Sequence, residues 1–502
     1  MDSVTHTSNE SESIESNFDP VVIELTPAPS VESTLGKLSA LPGCLLLDSS
    51  MKILSPGGQP LGRYSFLMAD PFQTIEVPVG ATEPFGKIAE LLTKFNSKTL
   101  PALPPMQGGI AGLFSYDINR SIEEIAPPQH DEFQLPAIVV GAYDTVIAWD
   151  HAQERAWIIS QGLPESQVDA RRFRASSRAE FFRDRLESPV KPSSSSPCDD
   201  QPLKRDQLAP GFEVDGPEGL ISNFPKQTYI EAVQKCVDYI YAGDVFQINL
   251  SQRLLFPSNG NSIELYQRLR SCNPSPFGGY FDLSQISDCP AQILSASPER
   301  LCSVRNGIVE TRPIKGTRRR TGRPMVDIQA REELRSSDKD RAENTMIVDL
   351  MRNDLSLVCE DDSVRVTQLC ELEEFQSVMH LVSSVEAKLK SSFGPVDLLS
   401  AVFPGGSITG APKVRAMEII AELEPTARGA YCGALGYLGF DGSADLNILI
   451  RTITASRGWW QIPVGGGIVS HSVPQKEYEE TWTKAAGMLR AVTMQEQGNR
   501  PL

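Results

Sequence analysis

Short hydrophobic runs separated by polar, Pro- and Gly-containing breaks dominate the first part of the chain. Runs of this kind, rich in β-branched side chains, are typical of strands. Four of them are predicted to be strands: 21–25, 44–47, 108–115 and 137–140. Helical spacing of apolar residues is found there mainly at 31–40 and 85–95. The first part of the chain is therefore predicted to be mostly β-structure.

In the second half, apolar positions follow both helical and strand spacing. From Gln227 onward, large apolar residues recur every three or four positions until Gly243, a typical helix stop. Residues 245–250 then alternate as in a strand, and a last helix is predicted at about 474–494. Helices and strands follow one another without a regular βαβ rhythm. The pattern predicts an α+β fold in which helices cover antiparallel sheets.

A polar stretch divides the chain into two parts. Residues 187–218 contain four consecutive serines, several prolines and few large apolar residues, so they bury too little surface to offset chain entropy. We expect a low-complexity linker there, between an N-terminal subdomain (20–186) and a C-terminal domain (219–495). Residues 1–19 are acidic and Ser-rich, which predicts a disordered tail rather than a signal or transit peptide.

Composition narrows the class of protein. A chain of 502 residues is long enough for two domains or one large double-layered body. A net charge of −17 disfavours nucleic acid and anionic membranes as partners. No run of 18 apolar residues is present, so no membrane span is predicted. Nine dispersed cysteines without a CxxC motif indicate reduced thiols and a cytoplasmic location.

Two predicted helices carry stacked carboxylates. Asp340 and Glu343 are three residues apart in the stretch 338–351, so they share a helix face. Glu477 and Glu480 have the same spacing in the last helix. Two such helices could hold one hard cation, and Mg²⁺ suits a site with few protein carboxylates. The spacing alone favours the alternative of two solvated acidic faces, because such pairs are common on helix surfaces.

A basic segment, 312–320, contains Lys315. A lysine amine becomes nucleophilic when desolvation and nearby cations lower its pKa, and the arginines around Lys315 could supply those charges. Pro313 and Gly316 restrict and shape the backbone on either side. Taken alone, the segment is more typical of a basic surface turn.

Three further features are ambiguous on their own. Glu299 follows a β-like run and is a candidate general acid, or a solvated charge at a strand end. His380 lies in a largely apolar stretch, where a core histidine is more usual than a catalyst. The glycine clusters 405–410 and 465–467 could present backbone N–H groups to a carboxylate, but neither matches a phosphate-binding fingerprint.

Taken in order, the motifs of the C-terminal part resemble one family, the chorismate-utilising enzymes, over nearly all of residues 220–490. The motifs are GDVFQ (243–247), SPER (297–300), PIKGT (313–317), RAEN (341–344), VDLMRND (348–354), FP (403–404), GAPK (410–413), RT (451–452) and YEET (478–481) followed by Lys484. Residues 45–49 and 108–114 resemble the family's first subdomain more loosely. The resemblance implies two mostly antiparallel sheets packed as a sandwich with helices on the outside.

The resemblance also implies a site. Glu343 and Glu480 match the family's Mg²⁺ ligands, with Asp340 and Glu477 acting through water. Glu299 matches the acid that protonates the departing 4-hydroxyl of chorismate, and Lys484 and His380 match active-site positions. The substrate-binding positions are Tyr431, Arg451, Gly465, Gly466, Gly467, Ser407, Thr409 and Gln247.

Two positions distinguish branches of the family. Isochorismate and salicylate synthases carry a water-activating lysine where this chain has Gln247, and anthranilate synthases carry alanine where it has Lys315. Lysine there is similar to component I of aminodeoxychorismate synthase. That branch implies a covalent lysine adduct, which ammonia converts to 4-amino-4-deoxychorismate for 4-aminobenzoate and folate synthesis.

Two alternatives stay open beside this branch. The first is component I of anthranilate synthase. The second is a non-catalytic regulator that binds tryptophan or chorismate. Loss of Lys315, Glu343 or Glu480 would be expected in such a regulator, and all three are present.

The resemblance implies partners as well. The chain has no glutamine-amidotransferase nucleophile motif, so ammonia would come from a separate glutaminase subunit in a heterodimer. The N-terminal subdomain of the family can hold tryptophan, and the corresponding positions are Leu47, Asp48 and Ser49. Asp48 departs from the glutamate that is most common there.

Overall fold

The computed structural model describes residues 18–51, 53–54, 60–189, 202–258, 260–374 and 378–494. Most of the predicted acidic tail and the centre of the predicted linker, 190–201, lie outside these ranges. Both therefore stay predictions. None of the helices in the described ranges is long and apolar enough to cross a membrane.

Eleven α-helices are present in the described residues. They are α1 (Val31–Leu38), α2 (Gly86–Lys94), α3 (Asn119–Ile122), α4 (Val168–Glu187), α5 (Lys226–Ala242), α6 (Ser262–Cys272), α7 (Pro324–Arg335), α8 (Asp338–Ser356), α9 (Pro395–Val402), α10 (Lys413–Leu423) and α11 (Pro474–Thr493). The predicted helices are confirmed. Gly243 ends α5 in the left-handed conformation, with φ of +87°.

The first twelve strands precede α5. They are β1 (Val21–Leu25), β2 (Leu45–Asp48), β3 (Ile53–Leu54), β4 (Pro60–Leu61), β5 (Tyr64–Met68), β6 (Gln73–Val77), β7 (Gly109–Phe114), β8 (Ile138–Tyr143), β9 (Thr145–Asp150), β10 (Arg155–Ser160), β11 (Phe212–Glu213) and β12 (Ile221–Ser222). The four strands predicted in this part of the chain are confirmed.

The remaining strands follow α5. They are β13 (Gln247–Pro257), β14 (Phe277–Asp282), β15 (Ala291–Ser297), β16 (Arg300–Arg305), β17 (Ile308–Thr311), β18 (Ile314–Arg319), β19 (Arg365–Glu374), β20 (Val378–Lys388), β21 (Gly410–Ala411), β22 (Ala434–Gly439), β23 (Ala444–Asn447), β24 (Thr452–Ser456) and β25 (Trp459–Ile468).

Two large sheets organise these strands. The first has the order β1-β10-β9-β5-β2-β14-β15-β24-β25-β13-β12-β11, with β21 also paired to β13. The second has the order β18-β20-β17-β16-β23-β22-β7-β8-β6, with β19 paired to β20. Their strand pairs are antiparallel, which confirms the predicted α+β class. Strands from both sides of the linker meet in each sheet, at β2–β14 and at β7–β22.

Buried side chains from the inner faces of both sheets form a common core. Phe66, Phe281 and Ile293 of the first sheet belong to the same apolar cluster as Leu113 and Tyr437 of the second. Helices α1, α4, α6 and α11 pack on the outer face of the first sheet, and α2, α8 and α9 on that of the second. The result is the predicted sandwich of two sheets with helices outside.

Strand β13 is longer than its apolar alternation predicts, because buried polar residues in its middle interrupt the apolar pattern. Ser251, Gln252 and Arg253 are all buried. Gln252 donates to Thr481 at 2.7 Å, and Arg253 pairs with Glu132 at 2.5 Å. Burial is tolerated because these groups have partners, and the partners come from distant segments that the strand's own sequence does not reveal.

Candidate active site

The predicted site residues converge from several elements. Lys315 lies on β18, at the end of the second sheet, and Gln247 and Gly467 lie on the paired strands β13 and β25 of the first. Glu343 and Glu480 come from the second turns of α8 and α11. The two sheets and two helices thus bring together residues that are more than 200 positions apart in sequence.

Lys315 owes its position to a bulge in β18. Gly316 has φ of +70°, and the register with β20 shifts between Lys315 and Thr317. A Cβ on Gly316 would lie 2.9 Å from Cγ of Asp340, so glycine permits the close approach of α8. Lys315 Nζ lies 3.4 Å from the carbonyl oxygen of Ser407. The bulge and the glycine direct the amine toward the Ser407 loop.

The electrostatic setting of Lys315 favours the neutral amine. Burial lowers its pKa below the ordinary lysine value, while the carboxylates of Glu343 and Glu299 oppose the shift. Taken alone, the segment 312–320 was more typical of a basic surface turn, but in the structure Lys315 lies on strand β18. A lysine with a lowered pKa is a candidate nucleophile.

Glu299 is buried beside the lysine. Ser407 Oγ donates to Glu299 Oε1 at 2.8 Å. The backbone N–H of Glu299 donates to Ser297 Oγ at 3.2 Å. Ser297 Oγ in turn donates to the carbonyl of Ile448 at 2.5 Å, which fixes the turn that carries Glu299. Burial raises the Glu299 pKa, against the Ser407 hydrogen bond and the charge of Lys315. The carboxyl group is thereby suited to hold and deliver a proton.

The four candidate metal-site carboxylates differ in their partners. Glu480 pairs with Lys484 at 2.7 Å, and that charge lowers its pKa. Glu477 accepts from Ser472 Oγ at 2.7 Å, and burial raises its pKa. Asp340 pairs with Arg318 at 3.2 Å. Glu343 differs from the others, because its buried Oε1 has no hydrogen-bond partner among the described residues.

These carboxylates are compatible with one kind of metal. Within the described residues, no group of three or more metal-ligating side chains is assembled. Mg²⁺ does not need one, since it takes one or two carboxylates and completes its octahedron with water or substrate oxygens. The unsatisfied Oε1 of Glu343 is an atom that such an ion would pair. Glu343 is therefore a residue that could hold Mg²⁺, and Glu480, whose charge also acts on Lys315, is the second candidate.

Gln247 and the glycines of β25 line the same space. Both polar atoms of the Gln247 amide are buried, and no residue in the described ranges hydrogen-bonds either of them. A Cβ on Gly467 would lie 3.0 Å from Gln247 Nε2 and 3.5 Å from Lys315 Nζ. Lys484 Nζ donates to the carbonyl of Gly465 at 2.9 Å. Because peptide groups alternate in an antiparallel ladder, those of Gly465 and Gly467 face the same side, whereas those of Gly466 face β13.

Arg451, Tyr431 and His380 form the neighbouring group. Arg451 has φ of +53°, and burial lowers its pKa. Burial and the charge of Arg451 lower the pKa of His380 to about 4, and the ring hydrogen-bonds the backbone of Gly316. His380 is therefore neutral near neutral pH. Tyr431 is buried, with the Arg428 guanidinium 5.8 Å from its ring centre.

Thr409 has a structural position in the Ser407 loop. Its hydroxyl donates to the carbonyl of Gly405 at 3.0 Å, and its own carbonyl accepts from the backbone of Asn249 at 2.8 Å. These bonds tie the loop to β13 and so help to place Ser407 beside Glu299.

A buried ion pair that the sequence analysis missed supports this loop. Arg428 pairs with Glu424 at 2.7 Å and donates to the carbonyls of Ile408 and Asn249 at 3.1 and 2.6 Å. Glu424 also accepts from the backbone of Ser251 at 2.7 Å. A Glu–Arg pair four residues apart is typical of an exposed helix face, so its sequence carries no sign of burial.

The three tryptophan-candidate positions belong to a different contact network. The buried carboxylate of Asp48 accepts from Arg270 at 2.6 Å and from Tyr266 at 2.9 Å. Ser49 donates its backbone N–H to Ser65 at 3.0 Å, and Leu47 pairs with Gly279 in the β2–β14 ladder. The contacts of these residues are therefore with α6, β14 and β5, and the tryptophan site stays a prediction.

Comparison with known proteins places the chain in a family. The family model described as chorismate binding enzyme matches residues 58–490. Anthranilate synthase component 1 of Thermus thermophilus is 39% identical over 398 residues, covering 79% of this chain and 80% of the relative. Aminodeoxychorismate synthase component 1 of Salmonella typhimurium is 37% identical over 488 residues, covering 94% and 98%.

A solved structure agrees with these matches. The crystal structure of anthranilate synthase component I from Streptococcus pneumoniae superposes with a TM-score of 0.72 at 32% identity, covering 85% of this chain and 92% of that one. Family model, sequence relatives and solved structure agree, and the chain belongs to the chorismate-binding enzyme family.

Proposed function

We propose that this protein is the synthase component that converts chorismate and ammonia to 4-amino-4-deoxychorismate, with Lys315 as a covalent nucleophile. The observation that carries the proposal is the placement of the Lys315 amine, beside buried Glu299 and across from Glu343. Relatives of similar identity carry either of two names, aminodeoxychorismate synthase or anthranilate synthase. Lys315 is the position that favours the former.

The reaction runs in two displacements. In the first, the neutral Lys315 amine attacks C2 of the ring, both ring double bonds shift, and the C4–O bond breaks. Glu299 protonates the leaving hydroxyl, which departs as water. In the second, ammonia attacks C4, the double bonds shift back and the C2–N bond to lysine breaks. The net change exchanges a hydroxyl for an amino group, without oxidation or reduction.

The other residues would bind and orient the substrate. Mg²⁺ between Glu343 and Glu480 would neutralise the ring carboxylate. Arg451 and Tyr431 would contact the enolpyruvyl carboxylate, aided by the peptide groups of β25. Gln247 is uncharged, and no described residue hydrogen-bonds its amide, so it can bind a ligand but is a poor base for activating water. Ammonia thus meets less competition from water.

The ammonia would be supplied by a glutaminase subunit in a heterodimer. "Component 1" in the names of the relatives supports a second component, because it implies a divided enzyme. We place the reaction in the cytoplasm, since the eight described cysteines are all free thiols, as expected in a reducing compartment.

Product analysis tests the proposal against anthranilate synthesis, which the 39% identity to the Thermus thermophilus protein favours. Purified protein would receive chorismate, Mg²⁺ and ammonium, and the products would be separated by chromatography with mass detection. We expect 4-amino-4-deoxychorismate from the wild type and none from Lys315→Ala. Fluorescent anthranilate as the wild-type product, without an added lyase, would contradict the proposal.

A further inference from the structure

A lysine to which the family resemblance gives no role lies between the two carboxylate-bearing helices. Lys339 is the second residue of α8. Its Nζ is 3.8 Å from Oε1 of Glu343, one turn along the same helix, and 3.9 Å from Oε1 of Glu477 on α11. The Lys339 side chain is 42% exposed, against 13% for Glu343 and 6% for Glu477. The ammonium therefore reaches inward from the surface toward buried carboxylates.

Electrostatic attraction, rather than hydrogen bonding, holds the Lys339 ammonium near these carboxylates. Both contacts exceed hydrogen-bond length, and within the part of the chain that the structure describes Glu343 Oε1 has no hydrogen-bond partner. The ammonium opposes the rise in pKa that burial imposes on Glu343 and Glu477. Lys339 thus compensates negative charge without being fixed to one oxygen.

The other cations around the site have shorter contacts. Lys484 bonds to Glu480 at 2.7 Å and to the Gly465 carbonyl at 2.9 Å. Arg318 pairs with Asp340 at 3.2 Å, and Lys315 Nζ lies 3.4 Å from the Ser407 carbonyl. Among these four, Lys339 has the weakest contacts and the most exposed side chain. Of the four cations, the Lys339 ammonium therefore needs the least free energy to move away from its carboxylates.

A divalent ion on Glu343 would lie within a few ångström of this ammonium. Two like charges at such a distance in a partly buried site repel each other. Lys339 therefore weakens binding of the ion to Glu343, and the bound ion weakens the attraction between Lys339 and Glu343. We propose that Lys339 is a displaceable internal cation that competes with the divalent metal for the glutamates of α8 and α11. The inference rests on the Mg²⁺ site of the proposed function and adds a residue that weakens metal affinity.

Metal binding, measured without turnover, tests the inference. Mn²⁺ accepts the same oxygen ligands as Mg²⁺, and the fraction left free is read from its electron paramagnetic resonance signal. Full-length wild type would be compared with K339M, K339Q and K339R. We expect about two- to fivefold tighter binding in K339M and K339Q, the range that partly exposed ion pairs contribute. K339R keeps the charge and should bind like the wild type.

R352M is the matched control. Arg352 lies on the same helix and pairs with exposed Asp349 at 3.1 Å, so R352M makes the same change in net charge away from the candidate metal site. Its Mn²⁺ affinity should equal that of the wild type. Tighter binding in R352M would show a general charge effect and overturn the inference.

The remaining outcomes separate the inference from the proposed metal site. If wild type, K339M and K339Q bind one Mn²⁺ with equal affinity, Lys339 does not compete, and the metal site stands. If none of them binds Mn²⁺, the assignment of the metal site fails together with the inference. The two neutral variants differ in polarity, so one folded variant, verified by circular dichroism, is sufficient for either conclusion.

Discussion

Lys315 and Glu299 lie on different segments, and Ser407 contacts both of them. Its carbonyl oxygen lies 3.4 Å from Lys315 Nζ, and its hydroxyl donates to Glu299 Oε1. Burial lowers the pKa of the lysine and raises that of the glutamate. Near neutral pH both groups therefore shift toward their uncharged forms. Those are the protonation states that attack by an amine and departure of a hydroxyl as water require.

The Glu299→Gln variant tests the proton transfer. Glutamine preserves the size of the side chain and an acceptor for Ser407 but carries no transferable proton. We expect kcat to fall by about 10²–10⁴-fold, the usual contribution of a general acid, with KM for chorismate little changed. In the wild type the rate should decline as pH rises through the raised Glu299 pKa, because the acid form is lost.

Rates of product formation measured from the ordinary glutamate pKa upward would check both expectations. The decline that belongs to Glu299 should be absent from the variant. A Glu299→Gln enzyme with wild-type kcat and the same decline would rule out this role.

At the scale of elements, the packing of α8 against β18 positions the site. Gly316 permits it, since a Cβ there would lie within 3.0 Å of side-chain atoms of Leu334 and Asp340. Residues of α8 thereby reach the space in front of Lys315, and α11 faces them from the first sheet. A small change in the β18 bulge should displace the nucleophile and Glu343 together.

The Gly316→Ala variant tests this packing, and Gly307→Ala is its matched control. Gly316 has φ of +70° and Gly307 has φ of +74°, but a Cβ on Gly307 would meet no atom of the described residues within 4 Å. Each variant should lose about 1–2 kcal/mol of unfolding free energy from the left-handed backbone. Gly316→Ala should lose more and should also lower kcat/KM.

Urea unfolding and steady-state kinetics of the two variants would make the comparison. Equal losses of stability, with unchanged kcat/KM in both, would show that the approach of α8 to Gly316 is unimportant.

The sequence predicts an element well where its apolar residues recur with a single helical or strand period. It predicts an element less well where contacts with distant segments stabilise it. Apolar periodicity predicted α5 and α11, and the stop at Gly243, because burial of one helix face is a local pattern. It missed the continuation of β13 past Leu250, where buried polar side chains need distant partners. It also missed the burial of the Glu424–Arg428 pair and the position of Lys339 between two carboxylates, because only the tertiary structure brings these neighbours together.

For the whole molecule, the two parts of the chain build one sandwich. Leu46 pairs with Tyr280 between β2 and β14, and Leu113 pairs with Leu435 between β7 and β22. The candidate active-site residues all follow the predicted linker in sequence. The two sheets that carry these residues nevertheless contain strands that precede the linker. The order of the motifs indicated the chemistry of the C-terminal part. The pairing of strands from both parts of the chain could not be predicted, because apolar periodicity does not encode which distant strands pair.

A covalent bond between Lys315 and the ring distinguishes the proposed reaction, and intact-protein mass spectrometry detects that bond. The wild type would be incubated with chorismate and Mg²⁺ without ammonia, then denatured and weighed. Lys388→Ala serves as the control, because Lys388 is an exposed lysine paired with Glu360 at 2.8 Å. We predict a gain equal to chorismate less one water in the wild type and in Lys388→Ala, absent from Lys315→Ala and lost on addition of ammonium. An unmodified wild-type mass, or an adduct that persists in Lys315→Ala, would rule out Lys315 as the covalent nucleophile.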